Sequence, residues 1–308
     1  MIDPAVIIGA GFIAQATARA IAATGRPVVL IARRPTAPVP GVETMLIDLT
    51  DAVERDIDAV AAVLGPGSDV VFAAGTSVPG QDERHPQRSA DPLRPLIAAL
   101  EAVRRTPHAS VLFISSGGAV YGEPDTLPIP EDHPLRPQSA YGTAKAAAET
   151  YLTYYARRYG VAATALRLGN AYGPGQVVGR GQGLIGELIG AAVEGREVEI
   201  WGDGSVRRDF VHVDDIATAI AALAPRRGLP SALNVASGRS TSVTEAAELV
   251  SEVVGRPVRV ARRPERPFDV HRIQLDITRL RDLIGFTPLS LAAGIRRSWA
   301  ELAPPTGS

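Results

Sequence analysis

Tyr141 and Lys145 are separated by one helical turn in Tyr141-Gly-Thr-Ala-Lys145, so in a helix starting near Ala140 both side chains leave the same face. A phenol with a pKa of about 10 is a poor base at neutral pH. A neighbouring ammonium favours the phenolate and makes the ring a usable general acid/base for a carbinol or carbonyl oxygen. The basic partner is itself unusual: of the 32 basic residues, Lys145 is the one lysine. A position wanting only charge is served equally by arginine. An ammonium differs in being compact, rotatable and readily shifted in pKa by desolvation. The same amine can reach hydroxyls of a bound ribose. Chance is the competing reading of its uniqueness.

A second constellation, Gly9-Ala10-Gly11-Phe12-Ile13-Ala14, follows a short apolar run and precedes a helical stretch. In that context small residues let the backbone approach a pyrophosphate, and the helix N-terminus adds partial positive charge. A tight turn that binds nothing is the alternative. Where a second strand would end, a dinucleotide site commonly offers Asp or Glu to the adenosine ribose, but this chain reads Ile31-Ala32-Arg33-Arg34. Arg33 can instead hold a 2′-phosphate and stack on adenine, so NADP fits these residues better than NAD, which stays possible. Two solvated arginines are the competing reading. Asp48, after a third strand, is either an acceptor for the adenine amino group or a surface carboxylate.

These groups need a scaffold, and the hydrophobic pattern supplies one. Apolar runs of strand length fall at 5–8, 28–32, 44–47, 69–74, 111–114 and 163–168, with helical periodicity over 12–24, 52–64, 93–105 and 140–159. Such alternation predicts an α/β fold: a doubly wound parallel sheet of Rossmann type. After residue 170 the pattern loosens, with Gly and Pro clustered over 173–183, a helix over 184–195 and short elements beyond. The expected organisation is a dinucleotide-binding domain over 1–172 and a smaller α/β lobe over 173–308, mainly substrate-binding and interleaved with the first. With 308 residues, 45% hydrophobic, 21% charged and a net charge of -1, the chain has no electrostatic handle for nucleic acid or an anionic membrane. It contains no cysteine, and its five histidines lack ligand spacing, so no metal is expected. The first apolar run is broken by glycines and preceded by no basic residue, which argues against a signal peptide or membrane span and for a cytoplasmic protein.

Further motifs stand in order along the chain: Ser115-Ser116-Gly117-Gly118-Ala119-Val120-Tyr121-Gly122, Arg167-Leu-Gly-Asn170-Ala-Tyr-Gly-Pro174-Gly175-Gln176, Trp201-Gly-Asp-Gly204, Arg208-Asp209-Phe210-Val-His212-Val-Asp214-Asp215, and Asp276 with Gly285-Phe-Thr-Pro288. With the glycine turn and the Tyr141/Lys145 pair, they make the chain resemble an extended short-chain dehydrogenase/reductase of the NAD-dependent epimerase/dehydratase group, whose members act on nucleotide sugars. The resemblance implies that Tyr141 is the acid/base and Lys145 its partner. It implies that Asn170 and Arg208 contact the substrate diphosphate, and that Arg266 and Asp269 hold the nucleotide ribose and base. A guanidinium matches phosphate in a bidentate manner, although an ion pair from Arg208 to Asp209 or Asp215 competes with that role. His212 is expected to pack or hydrogen-bond beneath the nucleotide. Around the cofactor, the expected contacts come from Gly9, Gly11, Phe12 and Ile13 at the turn, and from Arg33, Asp48 and Leu49 at the adenosine end. Ala73, Ala74, Ser115, Tyr141, Lys145 and Leu168 complete the set.

Three departures from the family pattern matter. Ile8 replaces its first glycine and Ala14 its third, leaving the turn to Gly9 and Gly11. Ala32-Arg33 replaces the Asp carried by NAD-using members. Gly117 falls where a catalytic Ser or Thr is usual, so the hydroxyl that bonds the sugar oxygen must come from Ser116, Ser115, the substrate or water. The leading activity is an NAD(P)-dependent 4-epimerase of a UDP- or dTDP-hexose, which oxidises and re-reduces C4. An NADPH-dependent 4-ketoreductase and a catalytically silent cofactor-binding sensor are the alternatives. Dehydration is disfavoured because Gly118 and Ala119 stand where the dehydratases carry Asp-Glu. By the same resemblance, helices 93–105 and 140–159, with Tyr151, Tyr154 and Tyr155, are expected to form a homodimer interface.

Overall fold

Short apolar strands alternate with helices because a parallel sheet covered on both faces buries every side chain of its inner strands. The computed structural model describes residues 3–75, 83–176, 183–265 and 270–302. In it, strands β1 (Ala5–Ile8), β2 (Val28–Ala32), β3 (Val42–Leu46), β4 (Asp69–Phe72), β5 (Ser110–Ser116), β6 (Ala162–Leu168) and β11 (Ala232–Val235) form one seven-stranded sheet in the order β3-β2-β1-β4-β5-β6-β11. Every neighbouring pair is parallel. The order reverses between β1 and β4, so the crossovers leave to opposite faces and open a crevice beyond the carboxyl ends of these strands.

Period-two alternation divides the core. Ile7, Leu30, Val71, Leu112 and Leu166 face helices α1 (Phe12–Ala22) and α7 (Val213–Leu223). Val6, Ile8, Val29, Val70 and Phe72 face α2 (Glu54–Val63), α3 (Leu93–Arg105) and α5 (Ala140–Tyr159). Each of these buried side chains contributes about 1.5–3 kcal/mol relative to exposure. The edge strand β3 covers Val42–Leu46 and so starts two residues before the apolar run at 44–47, since the exposed Glu43 interrupts the hydrophobic pattern and only the backbone marks it as strand. β4 stops at Phe72, where Ala73 and Ala74 turn across Gly9.

The later part of the chain serves two cores. β11 and α7 complete the large sheet. α6 (Leu184–Glu194), α8 (Val243–Val254) and α10 (Leu291–Leu302) enclose a second core with β8 (Glu197–Trp201), which pairs in parallel with β13 (Arg259–Arg263). Two small ladders connect these parts: β7 (Asn170–Tyr172) with β10 (Phe210–His212), and β9 (Arg207–Arg208) with β12 (Thr241–Ser242). The single turn α4 (Gly117–Val120) follows β5, and α9 (Thr278–Ile284) packs near β11. No described helix is long and apolar enough to cross a membrane.

Candidate active site

Helix α5 begins where Ser139 accepts a hydrogen bond from the Gly142 backbone (3.0 Å) and ends at Gly160 in the left-handed conformation, so both of its boundaries are fixed by local chemistry. Its first turns carry Tyr141 and Lys145 to the crevice. Lys145 Nζ donates to the Ile114 carbonyl at 2.7 Å. It lies 4.8 Å from the Phe113 ring centroid and 5.8 Å from that of Tyr141, which puts amine and phenol on one side of the helix. Burial pushes the Lys145 ammonium down to about 8, while the Glu149 carboxylate pulls the other way. The charge therefore survives at neutral pH.

Glu149 has no precedent in the motif reading, although a carboxylate four residues after the sole lysine is a signal visible in the sequence. It is buried, and its charge is balanced by Arg167 of β6 at 2.7 Å. Ser115 donates its hydroxyl to the same carboxylate at 2.6 Å. Arg167 continues to Tyr121 Oη (2.9 Å), which donates to Asn234 Oδ1 (2.8 Å). A buried ion pair with its remaining valences filled in this way fixes geometry more than it adds stability. Of the two candidate hydroxyls at the end of β5, Ser115 is thus engaged with Glu149. Ser116, half-buried, stands beside α4.

The glycine turn fits a dinucleotide. A Cβ on Gly9 would lie 2.7 Å from the Ala74 backbone nitrogen, whereas one on Gly11 would meet nothing within 4 Å and would fill open space at the N-terminus of α1. Phe12 and Ile13 follow on that helix, half-buried. Gln15 donates to the Ala10 carbonyl (3.0 Å) and to Thr36 (3.2 Å), tying the turn to the loop after β2. That loop presents Arg33 and Arg34, both exposed. Their charges help to hold Asp48 below the usual carboxylate range, after the larger effect of its hydrogen bonds from Thr50. Leu49 beside it is buried. Ile13, Ala73, Ala74, Phe113, Tyr141 and Lys145 all line one cavity at the crevice, so residues distant in sequence converge on it.

Toward the second core, Leu168 ends β6 in full burial, and Asn170 opens β7 with its Oδ1 3.2 Å from where a Gly118 Cβ would be. Arg208 donates to the Val270 carbonyl at 2.6 Å, next to the segment 266–269. Its neighbour Arg207 pairs with Glu245 at 2.9 Å. Asp209 accepts from Ser237 and from the Gly238 and Leu275 backbones, and Asp215 accepts from the Leu289 backbone. His212 is buried as the N-cap of α7, accepting from the Asp214 backbone. Arg266 and Asp269 lie outside the described residues.

Comparison with known proteins gives the same picture. The family model for the NAD dependent epimerase/dehydratase family matches residues 5–236. The chain is 34% identical to UDP-glucose 4-epimerase of Mycolicibacterium smegmatis over 80% of either protein. It is 30% identical to dTDP-4-dehydro-6-deoxy-D-allose reductase of Streptomyces bikiniensis over 94% of this chain and 92% of that one. Among solved structures, UDP-glucose 4-epimerase of Thermus thermophilus in complex with NAD superposes with a TM-score of 0.87 at 29% identity, over 96% of this chain and 97% of that chain.

Proposed function

The chain belongs to the NAD dependent epimerase/dehydratase family, and from that membership we propose that it is a nucleotide-sugar 4-epimerase acting on a UDP- or dTDP-hexose. The observation that carries this reading is the placement of Tyr141 beside Lys145 on the wall of the crevice cavity. Tyr141 Oη takes the proton of the sugar C4 hydroxyl as that carbon is oxidised, and returns it when the carbonyl is reduced from the other face. The Lys145 ammonium stabilises the phenolate in between. When bound, the nicotinamide cofactor supplies the hydride acceptor and donor. With Ser115 committed to Glu149, Ser116 is the hydroxyl of β5 assigned to the sugar oxygen. Asn170 and Arg208 hold the substrate diphosphate and Arg266 and Asp269 the nucleotide ribose and base, and this remote binding energy aligns C4. Residues 1–172 carry the cofactor role and 173–308 chiefly the substrate role. A homodimer through α3 and α5 and a cytoplasmic setting belong to the same proposal.

A second reading, an NADPH-dependent 4-ketoreductase, is favoured by Arg33 and Arg34, exposed at the end of β2 with no carboxylate at that strand end. One experiment separates the two: incubation with a panel of UDP- and dTDP-sugars and their 4-keto forms, with each coenzyme. An epimerase interconverts C4 epimers with no net change in absorbance at the reduced-nicotinamide band. A reductase consumes NADPH in step with ketone. Failure to turn over any diphospho-sugar with either coenzyme defeats both. The NADP preference has its own check: Arg33→Asp is expected to shift relative affinity toward NAD by at least about tenfold, on the order of one charge-assisted hydrogen bond to the 2′-phosphate. An unchanged ratio removes the assignment.

A further inference from the structure

Tyr121 and Arg167 stand in the motifs at 115–122 and 167–176, yet neither is among the residues lining the crevice cavity. Both are buried. The Arg167 guanidinium is used on two sides. Its Nε and one terminal nitrogen donate to the Glu149 carboxylate, the latter at 2.7 Å. The other terminal nitrogen donates to Tyr121 Oη at 2.9 Å and to the Glu131 carbonyl at 2.7 Å. Tyr121 Oη in turn donates to Asn234 Oδ1, and the Asn234 amide is anchored by donating to the Ile129 and Asp276 carbonyls at 2.9 and 3.0 Å. Burial pushes the Tyr121 phenol up to about 12 against the pull of Arg167, so the hydroxyl keeps the proton it donates.

Ser115 and Tyr121 bracket the turn 116–120. The Ser115 hydroxyl donates to Glu149 at 2.6 Å and the Tyr121 hydroxyl accepts from Arg167, so one buried ion pair grips the turn at both ends. Between these grips stands Ser116, half-buried, whose side chain makes no capping bond to α4. Glu149 belongs to α5, one helical turn beyond Lys145, so the pair fixes the turn against the helix that carries Tyr141. An apolar filling of the same volume is often as stable as a buried ion pair or more so. What charge supplies here is direction. We infer that Arg167 and Tyr121 are positioning residues for the chemistry at C4: they hold the turn 116–120 so that the Ser116 hydroxyl meets the sugar oxygen served by Tyr141. This rests on the reading above and on its assignment of Ser116. A displacement of about 1 Å at a reacting group can cost about 100-fold in rate, so a clamp outside the cavity acts on turnover without touching substrate.

Steady-state kinetics of the holoenzyme, on the diphospho-sugar that the parent turns over, tests the inference with the parent, Tyr121→Phe, Ser116→Ala and the double variant. Tyr121→Phe deletes one oxygen and leaves the Arg167–Glu149 pair in place, so it is expected to fold. It is expected to lower kcat by about tenfold, less than the loss for a full 1 Å displacement. KM for the diphospho-sugar and affinity for the dinucleotide are expected to stay within about twofold, below the worth of one hydrogen bond. In the Ser116→Ala background the same change is expected to alter kcat by less than about twofold, since no hydroxyl remains to be placed. A fold loosened in general lowers kcat by the same factor in both backgrounds, and that additivity overturns the inference. So does a Tyr121→Phe protein as fast as the parent. Arg167→Lys keeps a charge opposite Glu149 but lacks the fork that reaches Tyr121, and is expected to match Tyr121→Phe; full turnover there counts against the clamp as well. Should Ser116→Ala turn over like the parent, the Ser116 assignment falls and the inference with it, whereas a parent that turns over no diphospho-sugar defeats the functional reading itself.

Discussion

At Gly117 the missing side chain is enforced by packing. A Cβ there would be 2.5 Å from Leu275 Cδ1 and 3.3 Å from the Arg167 carbonyl, and Leu275 is 0% exposed. Restoring the family hydroxyl with Gly117→Ser therefore forces a buried leucine aside. The expected cost is about 1–3 kcal/mol, the range for overpacking a filled core. Pairing it with Leu275→Val is expected to return part of that loss, because the shorter side chain removes the colliding carbon. Denaturant unfolding of the two single variants and the double variant measures the coupling. Strict additivity would show that Leu275 is not the obstacle. Steady-state kinetics on the same set reads the chemistry: if Ser116 already serves the sugar oxygen, the added hydroxyl raises turnover little.

The same Leu275 connects this residue to the elements around it. Its backbone N–H donates to Asp209 Oδ2 at 3.1 Å, and the carboxylate also receives the Ser237 N–H and hydroxyl and the Gly238 N–H. Asp209, between β9 and β10, thus gathers the chain after β11 and the segment reaching Gly117. Burial pushes its carboxyl up to about 6 in spite of these donors. Asp209→Asn replaces an acceptor-only group by one that turns an NH2 toward backbone donors, and is expected to cost about 2–4 kcal/mol. The sign of the pH dependence follows from the raised value. Below its usual range the native state keeps the proton more tightly than the unfolded chain, and that advantage disappears as pH rises through 6. The variant's deficit is therefore expected to be larger at pH 5 than at pH 8 in urea melts, and the reverse order would refute the account. Elements of this kind are where sequence reading ends. β1, β2, α3 and α5 are legible because each carries an apolar run or period long enough to read. β7, β9, β10 and β12 span two or three residues each, too few for any period, and exist through tertiary pairing. Likewise the Tyr141/Lys145 pair is legible from helical spacing, whereas Ser115's bond to Glu149 depends on β5 passing beneath α5.

For the whole molecule, α5 carries both the Tyr141/Lys145 pair and a set of exposed tyrosines. Beyond Lys145 it carries Tyr151, Tyr154 and Tyr159, 39%, 49% and 40% exposed. Tyr154 meets the rings of Tyr155 and Tyr159 edge-on at 5.5 and 5.7 Å, and Arg104 of α3 lies 4.9 Å from the Tyr159 ring. Tyr155 donates to Glu101 at 2.6 Å, locking α5 to α3. An aromatic patch rimmed by arginine has the composition of an interface core, and a net charge of -1 sets up no repulsion between copies. If two copies join across α3 and α5, Tyr154→Glu places a charge in that core and is expected to weaken association by at least about 30-fold, the scale of an aromatic anchor. Sedimentation across a dilution series is expected to give a dimer for the parent and a monomer for the variant. Melting temperature is expected to depend on protein concentration for the parent alone, because association stabilises the folded chain by mass action. Tyr141 and Lys145 occupy the opposite end of the helix, held by Ser139 and the Ile114 carbonyl, so cofactor affinity is expected to stay within about twofold, below the worth of a single hydrogen bond. A parent that sediments as a monomer at micromolar concentration would sink the interface, and with it the reason for so many tyrosines on one exposed face.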